Sequence, residues 1–148
     1  MTTPFISTRR VEFGETDMAG IVHFSNFFRY MESAETDMLM SLGFSVNGEE
    51  NGVAYGFPRV SVTCDFARPA RFADQLQIHV AVEEIGQKSV RYRYTFFAND
   101  VQLAVGRITA VHCIKVDGQM KSHPLPERFR QQLEKYLLAP PTHSAGQS

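Results

Sequence analysis

The chain has 148 residues, close to one ordinary domain, with 43% hydrophobic and 21% charged residues and a net charge of −1. That mixture excludes wholesale disorder, and fifteen basic against sixteen acidic residues leave no global electrostatic case for nucleic acid or an anionic membrane. No apolar run approaches the ~20 residues needed to cross a bilayer, and Cys64 and Cys113 fit a reducing cytoplasm better than a disulfide scaffold or a zinc site.

A strand is expected around residues 5–13. A helix follows, with Phe27, Met31, Ala34, Met38 and Leu42 at spacings of three or four, Ser25 as N-cap and Gly43 as the residue past its end. Next come segments that alternate with period 2. Val60, Val62, Cys64 and Phe66 form one apolar face, with Pro58 and Pro69 on either side. Leu76, Ile78, Val80 and Val82 repeat the pattern, as do Val90, Tyr92, Tyr94 and Phe96. Tight turns are expected at Ile85-Gly86-Gln87 and Ala98-Asn99-Asp100. A last strand over 101–116 changes phase from odd to even apolar positions, and Gly106 marks the expected bulge. Pro126, Phe129, Leu133, Tyr136 and Leu137 describe a short C-terminal helix. The order is α+β, an antiparallel sheet covered by one long helix. One domain is expected over 1–138, with 139–148 as a disordered tail.

The link from Phe13 to Asn26 carries the candidate chemistry. It sets Asp17, Gly20 and His23 just before a helix N-terminus, whose unpaired N–H groups and partial positive charge can hold a developing oxyanion. Asp17 followed by Gly20 is also ordinary turn chemistry. No GxSxG elbow occurs, so nothing supports a serine hydrolase.

Two blocks, Asp17-Met18-Ala19-Gly20-Ile21-Val22-His23-Phe24-Ser25-Asn26-Phe27 and Asp65-Phe66-Ala67-Arg68-Pro69-Ala70-Arg71-Phe72-Ala73-Asp74, resemble those of the hotdog-fold 4-hydroxybenzoyl-CoA thioesterase family and its YbgC-like relatives. The resemblance covers residues 5–137. It implies a long central helix wrapped by a curved antiparallel five-stranded sheet, assembled as homodimers or homotetramers and hydrolysing acyl-CoA thioesters. The family's catalytic aspartate falls on Asp17, as nucleophile or general base, and its carbonyl-polarising helix amide on the N–H of Phe24. YbgC-like members carry their histidine one position after His23, which leaves His23 to bond substrate, position water or cap the helix. Glu32 is a further catalytic candidate, since a related branch uses a helix carboxylate; its other reading is a solvated helix charge. Gly20, Lys88, Ser89 and Arg91 are the candidate substrate-binding residues, Lys88 at the segment that meets the nucleotide phosphates. No metal or cofactor is implied, coenzyme A being part of the substrate. An aromatic acyl group, such as hydroxybenzoyl or hydroxynaphthoyl, follows from the same resemblance. Hydrolysis of acyl groups on acyl carrier protein and non-catalytic acyl-CoA binding stand as alternatives.

Overall fold

A computed structural model describes residues 2–139. The expected tail lies, except for Ala139, outside the described residues. Strand β1 (Phe5–Arg10) leads through a short 3₁₀ turn (Phe13–Glu15) to helix α1 (Ser25–Ser41). Strands β2 (Asn47–Glu50), β3 (Val53–Gly56), β4 (Arg59–Phe66), β5 (Gln75–Ile85), β6 (Ser89–Ala98), β7 (Val101–Val111), β8 (Cys113–Val116) and β9 (Gln119–Ser122) follow, then helix α2 (Glu127–Leu133). The main sheet has five strands in the order β1-β5-β6-β7-β4, every pair antiparallel.

The apolar stripe of α1 does what its spacing requires. Phe27, Met31, Ala34 and Met38 are buried against Leu76, Ile78 and Val80 of β5, Tyr92, Tyr94 and Phe96 of β6 and Ile108 of β7. Each large apolar side chain removed from water there contributes roughly 1.5–3 kcal/mol. The helix ends as expected: Gly43 takes φ +83°, its N–H bonds the Met40 carbonyl at 3.1 Å, and the Phe44 N–H bonds Leu39 at 2.8 Å. This 5→2 and 6→1 pair is a Schellman cap, which satisfies carbonyls the helix would otherwise leave unpaired. The two hairpin turns are also found. Asn99 and Asp100 both adopt positive φ, and the Gly86 N–H closes on the Ser89 carbonyl at 2.7 Å.

Four expectations are corrected. The helix N-cap is Phe24, not Ser25, and makes no side-chain cap hydrogen bond among the described residues; the Ser25 hydroxyl bonds the His23 ring instead. The phase change in β7 falls at Leu103, not Gly106. Phe96 pairs Ala104 while Phe97 pairs Gln102, so Leu103 is the extra residue, and Leu103 and Ala104 are both buried. Gly106 keeps register with Tyr94 and Cys64; a Cβ there would stand 2.6 Å from Sδ of Met31, so its glycine makes room for the helix. The apolar face of β4 is only partly covered among the described residues: Phe66 meets Phe27, yet Val60, Val62 and Phe66 stay 63%, 41% and 50% exposed. The last strand breaks at His112. Beyond it the chain leaves the main sheet for a second, four-stranded one, β2-β3-β8-β9, that the periodicity did not reveal.

Candidate active site

The loop before α1 is built as a small antiparallel ribbon. Thr16 bridges Val22, the Asp17 N–H donates to Ile21 at 2.8 Å, and the Gly20 N–H returns to the Asp17 carbonyl at 3.0 Å. Met18, Ala19 and Gly20 form a three-residue loop whose last position needs a left-handed backbone; Gly20 supplies it at φ +81°. Gly20 therefore shapes the turn, with its Cα facing open space. Asp17 stands at the base of this turn, half-buried, and accepts the Ala19 N–H on Oδ1 at 2.8 Å. Its other oxygen has no protein hydrogen bond among the described residues.

Glu15 fastens this ribbon to the fold. Its carboxylate accepts from Arg9 at 2.5 Å, from the Glu12 N–H at 2.8 Å and from the Tyr30 hydroxyl at 2.9 Å. Its carbonyl accepts the His23 N–H at 2.9 Å and the Asn26 side-chain amide at 2.8 Å. Burial, then the neighbouring Glu15, holds the Tyr30 phenol well above its ordinary range, so Tyr30 stays a hydrogen-bond donor. The motif reading missed Glu15, Arg9, Asn26 and Tyr30 as positioning residues. The Glu12–Glu15 spacing, which forms a reciprocal capping box, was the available signal.

The first turn of α1 then leaves a donor free. The Asn26 N–H goes to the His23 carbonyl and that of Phe27 to Phe24, whereas the Phe24 N–H has no backbone partner among the described residues. Asp17 and Phe24 line one open groove of about 440 Å³, with Ile21, Phe27, Phe66 and Arg68 among its other walls. Phe27 packs edge-on against Phe66 and Phe96 at centroid distances of 5.0 and 5.1 Å, which fixes the groove's apolar floor. A carboxylate with a spare oxygen, a free helix-start amide and an apolar slot are the parts needed to activate water or attack a carbonyl while its oxygen is held.

The other candidates stand elsewhere. His23 is exposed and does not line the groove; its ring stacks on Phe24 at 4.6 Å and its Nδ1 lies 2.8 Å from the Ser25 hydroxyl. Glu32 is exposed on the solvent side of α1 and outside the groove lining. Lys88, Ser89 and Arg91 lie at the opposite end of the sheet. Phe66 pairs Ala104 and Ser89 pairs Val111, and from Ala104 to Val111 the strand runs about 24 Å at ~3.4 Å per residue. Lys88 reaches the Ser122 hydroxyl at 3.4 Å, and Arg91 pairs with Glu83 and Glu84. A single copy of the chain does not bring them to Asp17.

Sequence and structure comparisons place this arrangement among known proteins. A family model described as the Thioesterase-like superfamily matches residues 11–133. The chain belongs to that superfamily. It is a thioester hydrolase with a hotdog-like fold. A curated 1,4-dihydroxy-2-naphthoyl-CoA hydrolase of Synechococcus sp. (strain WH7803) is 29% identical over 138 residues, 88% of this chain and 89% of its own. A solved gentisyl-coenzyme A thioesterase superposes with a TM-score of 0.73 at 28% identity, covering 88% of this chain and 99% of that one. A 1,4-dihydroxy-2-naphthoyl-CoA thioesterase from Synechocystis superposes at TM-score 0.75 and 22% identity, over 87% and 94%, a likeness of fold. Among the described residues of this thioesterase, no helix is long and apolar enough to cross a membrane.

Proposed function

We propose that this protein is a cytoplasmic thioesterase of the 4-hydroxybenzoyl-CoA and YbgC-like type, which hydrolyses aromatic acyl-CoA to the free acid and coenzyme A. The observation that carries this reading is that one groove is lined by Asp17 and by Phe24, whose N–H has no hydrogen-bond partner among the described residues. A CoA thiolate leaves readily, because thiols ionise near pH ~8.5, so a strong general acid is dispensable. The Phe24 amide takes up the charge that develops on the carbonyl oxygen; one such donor is worth about 10²–10³ in rate. Asp17 acts as the nucleophile or as the base for water, with no cofactor. The named relatives, which act on naphthoyl- and gentisyl-CoA, support an aromatic acyl group, and the aromatic slot of Phe24, Phe27 and Phe66 suits one.

The working unit is an oligomer of this chain. Strand β4 is a free sheet edge with a partly uncovered apolar face, a surface that invites pairing. Antiparallel pairing of β4 with the same strand of a second copy sets the Phe66 end of one against the Arg59 end of the other. The far end of the second copy's sheet, with its Lys88 and Ser89, then approaches the first copy's groove, where the CoA phosphates need cations.

The test is thiol release, followed with DTNB, from hydroxybenzoyl-CoA, 1,4-dihydroxy-2-naphthoyl-CoA, palmitoyl-CoA and an acyl carrier protein thioester. Faster turnover of the aryl-CoA substrates is expected. Preference for the carrier-bound substrate, or binding without thiol release, would overturn the assignment.

A further inference from the structure

A second cavity of about 360 Å³ lies at the other end of α1, between the small sheet and α2, within the size range of small-molecule sites. The 17-residue helix is about 25 Å long, and Asp17 and Phe24 stand at its start while Phe44 and Ser45 follow its end. A one-ring acyl group bound at Asp17 does not span that length.

The walls are aromatic. Phe44 packs on Phe129 at 5.1 Å, Phe129 stacks on Phe57 at 4.9 Å, Phe57 meets the His112 ring at 5.2 Å, and Tyr55 closes the side. Apart from the Asn51 amide, the polar side chains of the lining that carry protons have them already in use. His112 is 3% exposed and its Nδ1 faces the His123 carbonyl at 2.9 Å, which requires the proton on Nδ1; in the neutral imidazole Nε2 then carries a lone pair. No hydrogen bond reaches Nε2 among the described residues. The Nδ1 of His123 is likewise used on the Pro124 carbonyl, at 2.9 Å. Ser45 donates to the Asn47 carbonyl, so the Tyr55 hydroxyl, 3.3 Å away, donates to Ser45. Glu50 is the lining's one carboxylate. The cavity thus offers planar apolar walls, spare acceptors on the histidine rings and one amide at Asn51, and its carboxylate opposes an anion.

We infer that this cavity binds an uncharged planar aromatic molecule carrying a hydroxyl donor, a phenol, with its O–H directed to Nε2 of His112. Stacking between rings supplies the affinity, and the buried acceptor on His112 supplies the selection. The inference stands on this cavity alone and does not depend on what the groove at Asp17 hydrolyses.

The experiment is a titration of the isotopically labelled full chain at pH 8, read by amide chemical shifts, with p-cresol, toluene and benzoate. Saturable shifts centred on His112, Ile114 and Phe129 are expected. p-Cresol should bind about tenfold more tightly than toluene, the scale of one hydrogen bond to a buried acceptor. Benzoate should produce none of these shifts. His112→Asn keeps a donor for the His123 carbonyl and removes Nε2, so cresol and toluene should then bind alike. Ile114→Trp fills the cavity and should abolish the shifts, which keeps the test open if the histidine variant folds poorly. Asp17→Asn should bind cresol as the wild type does. Shifts centred on Asp17 and Phe24, competitive inhibition of thioester hydrolysis by cresol, or benzoate binding as tightly as cresol would overturn the inference.

Discussion

Asp17, before the start of α1, and Glu35, within it, are both carboxylates, and the fold treats them in opposite ways. Asp17 sits in a turn, reaches an open groove, and spends one oxygen on the Ala19 N–H. Glu35 is 0% exposed; Oε1 takes the Arg59 guanidinium and Oε2 has no partner among the described residues. Burial, the larger influence, pushes the Glu35 carboxyl up, while Arg59 pulls it down. The phenols of Tyr92 and Tyr94 are raised by their burial and by Glu35's charge. Water and a substrate can reach Asp17, whereas nothing outside the protein reaches Glu35. Of these two carboxylates, only Asp17, which precedes the helix, faces a groove that a small molecule can enter.

The sharpest way to break this contrast is Asp17→Asn. The amide still accepts the Ala19 N–H, so stability should change by less than about 0.5 kcal/mol, while turnover falls roughly 10²–10⁴-fold. A thermal melt beside a DTNB assay measures both. Turnover within threefold of wild type would remove Asp17 from the mechanism. Next in size is Val62→Lys, which places a charge midway along the free edge of β4. Light scattering should show a monomer, and KM for an aryl-CoA should rise about tenfold, the scale of one lost charge-assisted contact to phosphate. A stable oligomer with unchanged KM would show that the Lys88 end of another copy does not serve the groove.

What the sequence revealed, and what it concealed, follows the same division between covered and uncovered surface. The stripe Phe27, Met31, Ala34, Met38 announced α1 because a helix face against a sheet must be apolar. The Asp17–Gly20 turn and both hairpins were legible because their backbone angles demand particular residues. Strand β4 misled, since alternation reports that a face is apolar and not what covers it; among the described residues most of that face stays open. The second sheet gave no signal because β2 and β9 are exposed at every position, and a two-residue period needs one buried face. Gly106 looked like a bulge because glycine in a strand often marks one; its true reason, the sulfur of Met31, belongs to a residue 75 positions earlier. The site was half legible. The helix start could be read from its spacing and Asp17 from the family resemblance, whereas the lack of a backbone partner for the Phe24 N–H among the described residues is a fact of the folded turn.

Gly106→Ala tests the covered side of the helix. Its Cβ would meet Met31 at 2.6 Å and the Thr63 carbonyl oxygen at 3.2 Å, so a fully buried side chain must move. Overpacking of this kind costs about 1–3 kcal/mol, readable as a lower midpoint in urea with an unchanged slope. Because the contact lies on the closed side, kcat on an aryl-CoA should hold within about twofold. A midpoint equal to wild type would mean that Met31 yields freely and that the packing beneath α1 is looser than its burial implies.

The smallest effect concerns Glu35 itself and has a definite sign. A carboxyl whose folded pKa is raised binds its proton more firmly in the folded state than in the unfolded chain. Between the ordinary value of 4.5 and the raised one, the folded protein carries the extra proton, so stability falls as pH rises through that window and is regained on acidification. Glu35→Gln fixes the neutral form and removes this group's dependence. The variant should therefore be more stable than the wild type at pH 8, and the gap should close as the pH is lowered toward 5, measured by paired melts in one buffer series. Arg59, still partly exposed in the wild type, keeps access to water when its partner is neutral, so the substitution does not strand a buried charge. A gap that widens on acidification would mean that the Arg59 ion pair outweighs burial, and that the two carboxylates differ less than their exposures suggest.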